Sequence, residues 1–254
     1  MMELVIGLIY AFFGSVFGSF ANVCIWRLPR GESVVWPASR CVHCQGQLRP
    51  WQLVPIFSWL FLGGKCAYCQ GEIHWRYPVV ELVTAVLFGL IGYFFGFSLQ
   101  AFRYLILLFA LVVSVGTDFS HREIPDEISW GSSAVLFVLA LVTLDWPLLI
   151  GGAVLFGLLY LIAFASGGGM GGGDIKLSLA IGLALGWRLG LVGLFVAFLV
   201  GGLLAMGLLF SRKAGGKHQV PFAPFLALGA VTAIFFGDLI IRGYWDISMQ
   251  IWRW

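Results

Sequence analysis

The sequence predicts an all-α fold, a polytopic membrane helix bundle of about eight transmembrane helices with a small cytoplasmic zinc-ribbon-like insertion. Three observations lead there. Of the 254 residues, 60% are hydrophobic and only 11% charged, and the mean hydropathy is +0.96, whereas a soluble domain is nearer half apolar and a quarter charged. The apolar residues fall in long blocks rather than in amphipathic stripes. The only long polar stretch holds four of the five cysteines, in two tight pairs.

A spanning helix needs about 20 apolar residues. Blocks of that kind cover residues 4–24, 78–97, 101–117, 128–144, 147–165, 176–190, 191–210 and 221–241, the sixth and seventh separated only by GWRLG. The first block lacks a basic n-region and a small-x-small cleavage site, so it is expected to be a membrane helix rather than a removable leader. Loops joining odd to even spans hold Arg27, Arg30, Arg40, Arg49, Lys65, Arg76, Arg122, Lys176, Arg212, Lys213 and Lys217, against Arg103, Arg188, Arg242 and Arg253 on the other side. By the positive-inside rule the first set of loops faces the cytoplasm and both termini the periplasm. The expected division is a first helix over 1–26, a cytoplasmic cysteine-bearing domain over 27–77 and a helical core over 78–254. No internal repeat is expected, and the net charge of +3 gives no case for a nucleic-acid partner. Membrane lipid is the expected surroundings.

The insertion contains Cys41-Val42-His43-Cys44 and Cys66-Ala67-Tyr68-Cys69, with 21 residues between the pairs. Two CxxC knuckles at such spacing can present four thiolates tetrahedrally to zinc. A segment of this size builds little core, so a structural metal would supply folding energy. Disulfides or unliganded thiols are the competing readings, and a reducing cytoplasm disfavours the first. His43 and His74 are possible substitute ligands, while Cys24 in the first span reads as a small buried side chain.

Acidic residues are scarce, so their positions carry information. The third span runs into Thr117-Asp118-Phe119-Ser120-His121-Arg122-Glu123-Ile124-Pro125-Asp126, and the glycine run Gly167 to Gly173, broken only by Met170, leads into Asp174-Ile175-Lys176. The expected topology places Asp118 and Asp174 at one membrane boundary, where an ionisable group is costly unless paired or wet. Two adjacent carboxylates share a proton, so one can activate water while the other polarises a carbonyl. Each acid also has a plainer reading: Asp118 could end a helix in water, and Asp174 could cap the sixth span. Asp126 after Pro125 reads as the N-cap of the fourth. GGGMGGGD contains a GxGxxG match, but no strand precedes it, so it is no dinucleotide fingerprint.

The motifs together resemble the bacterial type IV prepilin peptidases over nearly the whole chain. GSFANVCIWRLPR is similar to the end of that family's first helix, and PASRCVHC with GGKCAYCQGEIHWRYPVVEL to its cysteine domain. DFSHREIPD and GGGDIKL are similar to the motifs carrying its two catalytic aspartates, and PFAPFLALG to its final-helix motif. The resemblance implies a GxGD-type membrane aspartic protease of the inner membrane with Asp118 and Asp174 as the catalytic pair. Its substrates would be type IV prepilins and type II secretion pseudopilins, cut on the cytoplasmic side after a leader glycine. S-adenosylmethionine-dependent methylation of the new N-terminus is likewise implied. Ala223 stands where the family commonly has glycine, and is expected to affect helix packing without touching the chemistry. The rival readings are a polytopic transporter, which predicts acids at the bilayer midplane and repeated halves, and a zinc-bearing assembly scaffold, which leaves both aspartates idle.

Overall fold

In lipid a backbone can satisfy its own N–H and C=O groups only as helix or closed barrel, so each long apolar block closes on itself. The computed structural model describes residues 1–167, 169–210 and 221–251. Gly168 of the glycine run and Arg212, Lys213, Lys217 and Arg253 of the charge count lie outside the described residues. In order the α-helices are α1 (Met2–Arg27), α2 (Phe57–Phe61), α3 (Arg76–Phe95), α4 (Leu99–His121), α5 (Asp126–Val142), α6 (Trp146–Ala165), α7 (Gly172–Phe210) and α8 (Ala223–Ile251). Among the described residues β-pairing is limited to two isolated bridges, Arg40 with Gln47 and Lys65 with Glu72.

Six of these helices are long and apolar enough to cross a membrane, fewer than the eight expected, and the difference lies in two places. Helix α5 has 17 residues, about 26 Å at 1.5 Å per residue, a little short of the hydrocarbon core. The expected spans 176–190 and 191–210 fall within α7, which is interrupted at Gly186 (φ 75°, ψ 173°). That backbone region is essentially open to glycine alone.

The chain forms two compact units, Met1–Thr117 and Asp118–Trp254. In the first, α1 and α3 run antiparallel along a stripe of small residues. Gly7, Gly14, Gly18 and Ala21 of α1 recur at intervals of seven, four and three positions, the spacing of one helix face. A Cβ on Gly14 would stand 2.7 Å from the Cβ of Phe88, and one on Gly18 2.6 Å from the Cα of Glu81. Absent side chains therefore let the two backbones meet, the usual basis of helix association in lipid. Helix α4 adds Phe109, whose ring stacks on Phe20 at 5.9 Å and meets Phe17 edge-on.

In the second unit both arms of α7 lie along α6, in opposite directions. Before the break, Gly182 meets Gly151 and Leu183 meets Gly152; after it, Trp187 meets Gly151 and Gly190 meets Leu155. The chain thus reverses at Gly186, beside Pro147. The second arm then pairs antiparallel with α8, where Gly193 meets Gly229 and Gly201 meets Phe225. Leu136, Leu155, Leu159, Leu177, Leu183 and Leu226 fill the interior. Helix α7 begins only seven residues after α6 ends, so Asp174 sits at one end of this bundle, and the reversal at Gly186 sends the second arm of α7 back toward that end.

Gly186→Ala is expected to destabilise the protein by about 1–3 kcal/mol through backbone strain. Gly131→Ala, on α5 with open space around it, is expected to be neutral or slightly stabilising. Thermal unfolding of both variants in nanodiscs checks the contrast.

Candidate active site and metal centre

Asp118 occupies the last turn of α4 and Asp174 the first turn of α7. They are 7% and 8% exposed, so neither is a helix end standing in water, and they lie close enough for their charges to repel. The Oδ2 of Asp118 accepts a buried hydrogen bond of 3.0 Å from the backbone N–H of Ala223. The donor has a local cause. The first N–H groups of a helix have no intrahelical partner and carry the positive end of its dipole, and α8 begins at Ala223. Pro221 and Pro224 nearby lack an N–H altogether, and proline suits the first turn of a helix.

The contact is made by the Ala223 backbone and not by its methyl, so glycine at this position would make it equally. PFAPFLALG was legible as a helix start, but side-chain chemistry alone gave no sign that one of its amides would serve an aspartate 105 residues away.

The glycines before Asp174 act by what they lack. The Asp174 carboxylate folds back over Gly171, where a Cβ would lie 3.0 Å from Oδ2, and the Asp174 N–H donates to the Gly171 carbonyl at 3.2 Å. A Cβ on Gly173 would stand 2.7 Å from that of Ile124, so this glycine admits the segment between α4 and α5. The Oδ1 of Asp174 is buried without a hydrogen-bond partner among the described residues. An unpaired buried acceptor is costly.

The structure also corrects Asp126. The N-cap of α5 is Pro125, with no side-chain cap, and the Asp126 carboxylate instead accepts from Lys176 Nζ at 2.6 Å. The pair joins the first turn of α5 to the first turn of α7, two residues beyond Asp174. Both partners are partly exposed, so the bond orients more than it stabilises.

In the first unit, the Sγ atoms of Cys41, Cys44, Cys66 and Cys69 all lie within 4.8 Å of one another, and no disulfide joins the described cysteines. Sulfurs 2.3 Å from a tetrahedral zinc stand about 3.8 Å apart, and Cys41 and Cys69 are 3.9 Å apart. The cluster therefore fits a metal such as zinc. Although no repeat was expected, the two knuckles are copies of one another. CVHCQGQ and CAYCQGE each bond the first cysteine's N–H to the glycine carbonyl, at 3.0 and 2.9 Å, and each turns through a glutamine at φ 57°. The amides of His43 and Tyr68 donate to the first sulfur of their knuckles. The Cys66 thiol is pulled down to about 7 by the N–H groups of Cys69 and Tyr68, which favours the thiolate a metal needs.

Neither histidine joins the cluster. His43 Nε2 lies 3.2 Å from the Glu72 carbonyl, and His74 Nδ1 accepts from the Arg76 N–H. Cys24 is buried in α1, as expected.

Comparison with known proteins identifies the family. The bacterial peptidase A24 N-terminal domain model matches residues 12–95, and the type IV leader peptidase family model matches residues 105–206. A prepilin leader peptidase/N-methyltransferase of Bacillus subtilis is 36% identical over 93% of this chain and 97% of its own. The chain belongs to the type IV leader peptidase family. A family member of the same name from Pseudomonas aeruginosa is 34% identical over 91% of this chain and 90% of its own, and one from Stutzerimonas stutzeri is 32% identical over 91% of each. No solved structure matches the chain.

Two contrasts check the site. Gly173→Ala should cost about 1–3 kcal/mol by overpacking, while Gly172→Ala, with nothing within 4 Å, should be tolerated; equal thermal stability of the two would refute the close approach to Ile124. The purified protein should carry about one zinc per chain. Chelation, or Cys66→Ser, should abolish amide-exchange protection across both knuckles, and metal-free protein with unchanged exchange would refute the metal site.

Proposed function

We propose that this family member is a membrane aspartic endopeptidase that removes the leader of type IV prepilins, with Asp118 and Asp174 as its catalytic pair. The observation that carries the reading is that two carboxylates, at the end of α4 and the start of α7, are both buried, one of them accepting the Ala223 N–H at the start of α8. Asp118 accepts a proton from a water, whose oxygen attacks the scissile carbonyl carbon. Asp174, protonated, donates a hydrogen bond to the carbonyl oxygen, and collapse of the tetrahedral intermediate breaks the C–N bond as the leaving amine takes up a proton. The Ala223 amide holds Asp118 in register and compensates its charge.

In this reading α1 and the cysteine-bearing segment precede a proteolytic core that begins with α3. Zinc in the four-cysteine site would hold the two knuckles together. The relatives' name includes N-methyltransferase, so we include methylation of the new N-terminus, with S-adenosylmethionine supplying the methyl group. The asymmetry of basic residues favours an active site on the cytoplasmic side of the inner membrane, and type II pseudopilins belong to the same substrate class. A transporter is not favoured, because both acids stand at helix ends rather than mid-helix. A scaffold leaves the buried pair without a use.

Asp118→Asn and Asp174→Asn, reconstituted with a prepilin, should each retain the fold and lose about 10²–10⁴-fold in cleavage rate. Mass spectrometry of the product should show a cut after the leader glycine and the mass of one added methyl. Normal cleavage by either variant would overturn the assignment.

A further inference from the structure

Between α1 and α3 the chain carries the short apolar helix α2, sequence FSWLF. Its orientation is set by Trp59, whose Nε1 donates to the Ile73 carbonyl at 3.0 Å and whose ring lies against Gly64. With Trp59 turned inward, Phe57, Leu60 and Phe61 form the opposite face, and they are 58%, 59% and 85% exposed. A contiguous aromatic face of this kind is unusual in water.

The depth of this face follows from one hydrogen bond. The N–H of Ile56, immediately before α2, donates to Glu81 Oε2 at 2.6 Å. Glu81 is buried five residues into α3, about 7.5 Å along the helix from Arg76. Ile56 takes a left-handed backbone to reach it, at φ 63°. Just before α3 stands the exposed Trp75, a residue type that collects at the membrane–water boundary. Beyond it, Leu82 and Val86 of α3 point outward, as lipid-facing residues do. The start of α2 is thus pinned beside the first turns of a membrane helix, at the depth of about 5–10 Å where interfacial helices rest. Residues 27–76 also carry six basic side chains against Glu32 and Glu72, a balance suited to anionic headgroups.

We propose that the Phe57, Leu60 and Phe61 face of α2 docks into the headgroup–acyl boundary of the anionic bilayer that the chain spans. The cysteine-bearing segment is then held down on the membrane by an interfacial anchor as well as by its two flanking helices. This inference does not depend on the proteolytic reading.

The test uses the intact protein in nanodiscs of phosphatidylglycerol and phosphatidylethanolamine, doped with a phospholipid bearing a diazirine near the top of its acyl chain. After illumination, adducts are mapped by mass spectrometry. Docking predicts adducts on Phe57, Leu60 and Phe61 at a yield comparable to Leu82 and Val86, and about tenfold above the exposed Val42 and Tyr68 of the knuckles. Yields on α2 no higher than on Val42 and Tyr68 would overturn the proposal. Adducts on α2 that vanish on adding a prepilin, while those on α3 persist, would also overturn it by assigning the face to a protein partner.

Discussion

Holding two carboxylates together out of water is the constraint from which the second unit is organised. Each buried ion costs several kcal/mol unless donors meet it, and the two charges oppose one another besides. The solution is a helix terminus. The Ala223 amide at the start of α8 donates to Asp118, which requires α8 to begin where α4 ends. Asp174 stands at the start of α7, and the reversal at Gly186 turns the second arm back along α6 toward that end, where α8 begins. The glycines ahead of Asp174 then leave room for its carboxylate and for Ile124.

Packing without bulk is the second theme, and it has the same physical origin. Lipid offers little hydrophobic drive between helices, so association rests on close backbone approach. The Gly7, Gly14 and Gly18 stripe against α3, the Gly151–Gly182 meeting and the Gly193–Gly229 meeting all serve that end. Many further large apolar side chains point outward along the long helices, as lipid surroundings allow.

The segment between α1 and α3 obeys different rules because it is too small to bury a core of its own. Two copies of one knuckle bring four sulfurs within 4.8 Å of one another, a site where a bound metal would supply the folding energy that apolar burial cannot. Several of its apolar residues, among them Phe57, Leu60 and Phe61 of α2, stay exposed.

The all-helical class, the long apolar blocks, the cysteine pairs and both aspartate motifs were legible in the chain because each is a local property. Hydrophobic run length, CxxC spacing and the rarity of acids in apolar sequence need no partner to be read. The knuckle repeat was equally local and was overlooked because it spans only seven residues, two of them differing inside the first cysteine pair and one at the end. What required the folded structure were relations between distant segments. Asp126 reads as a cap, yet it pairs with Lys176 fifty residues on, since a flexible charged side chain takes whichever partner the tertiary fold brings near. The start of α8 supplies the amide that holds Asp118, a role hidden in the sequence because backbone donors are alike at every residue and carry no mark there. By itself the sequence determined which groups can do chemistry and which stretches must be helical. Only the tertiary structure decided which of those groups meet, because that depends on where helices start, break and cross.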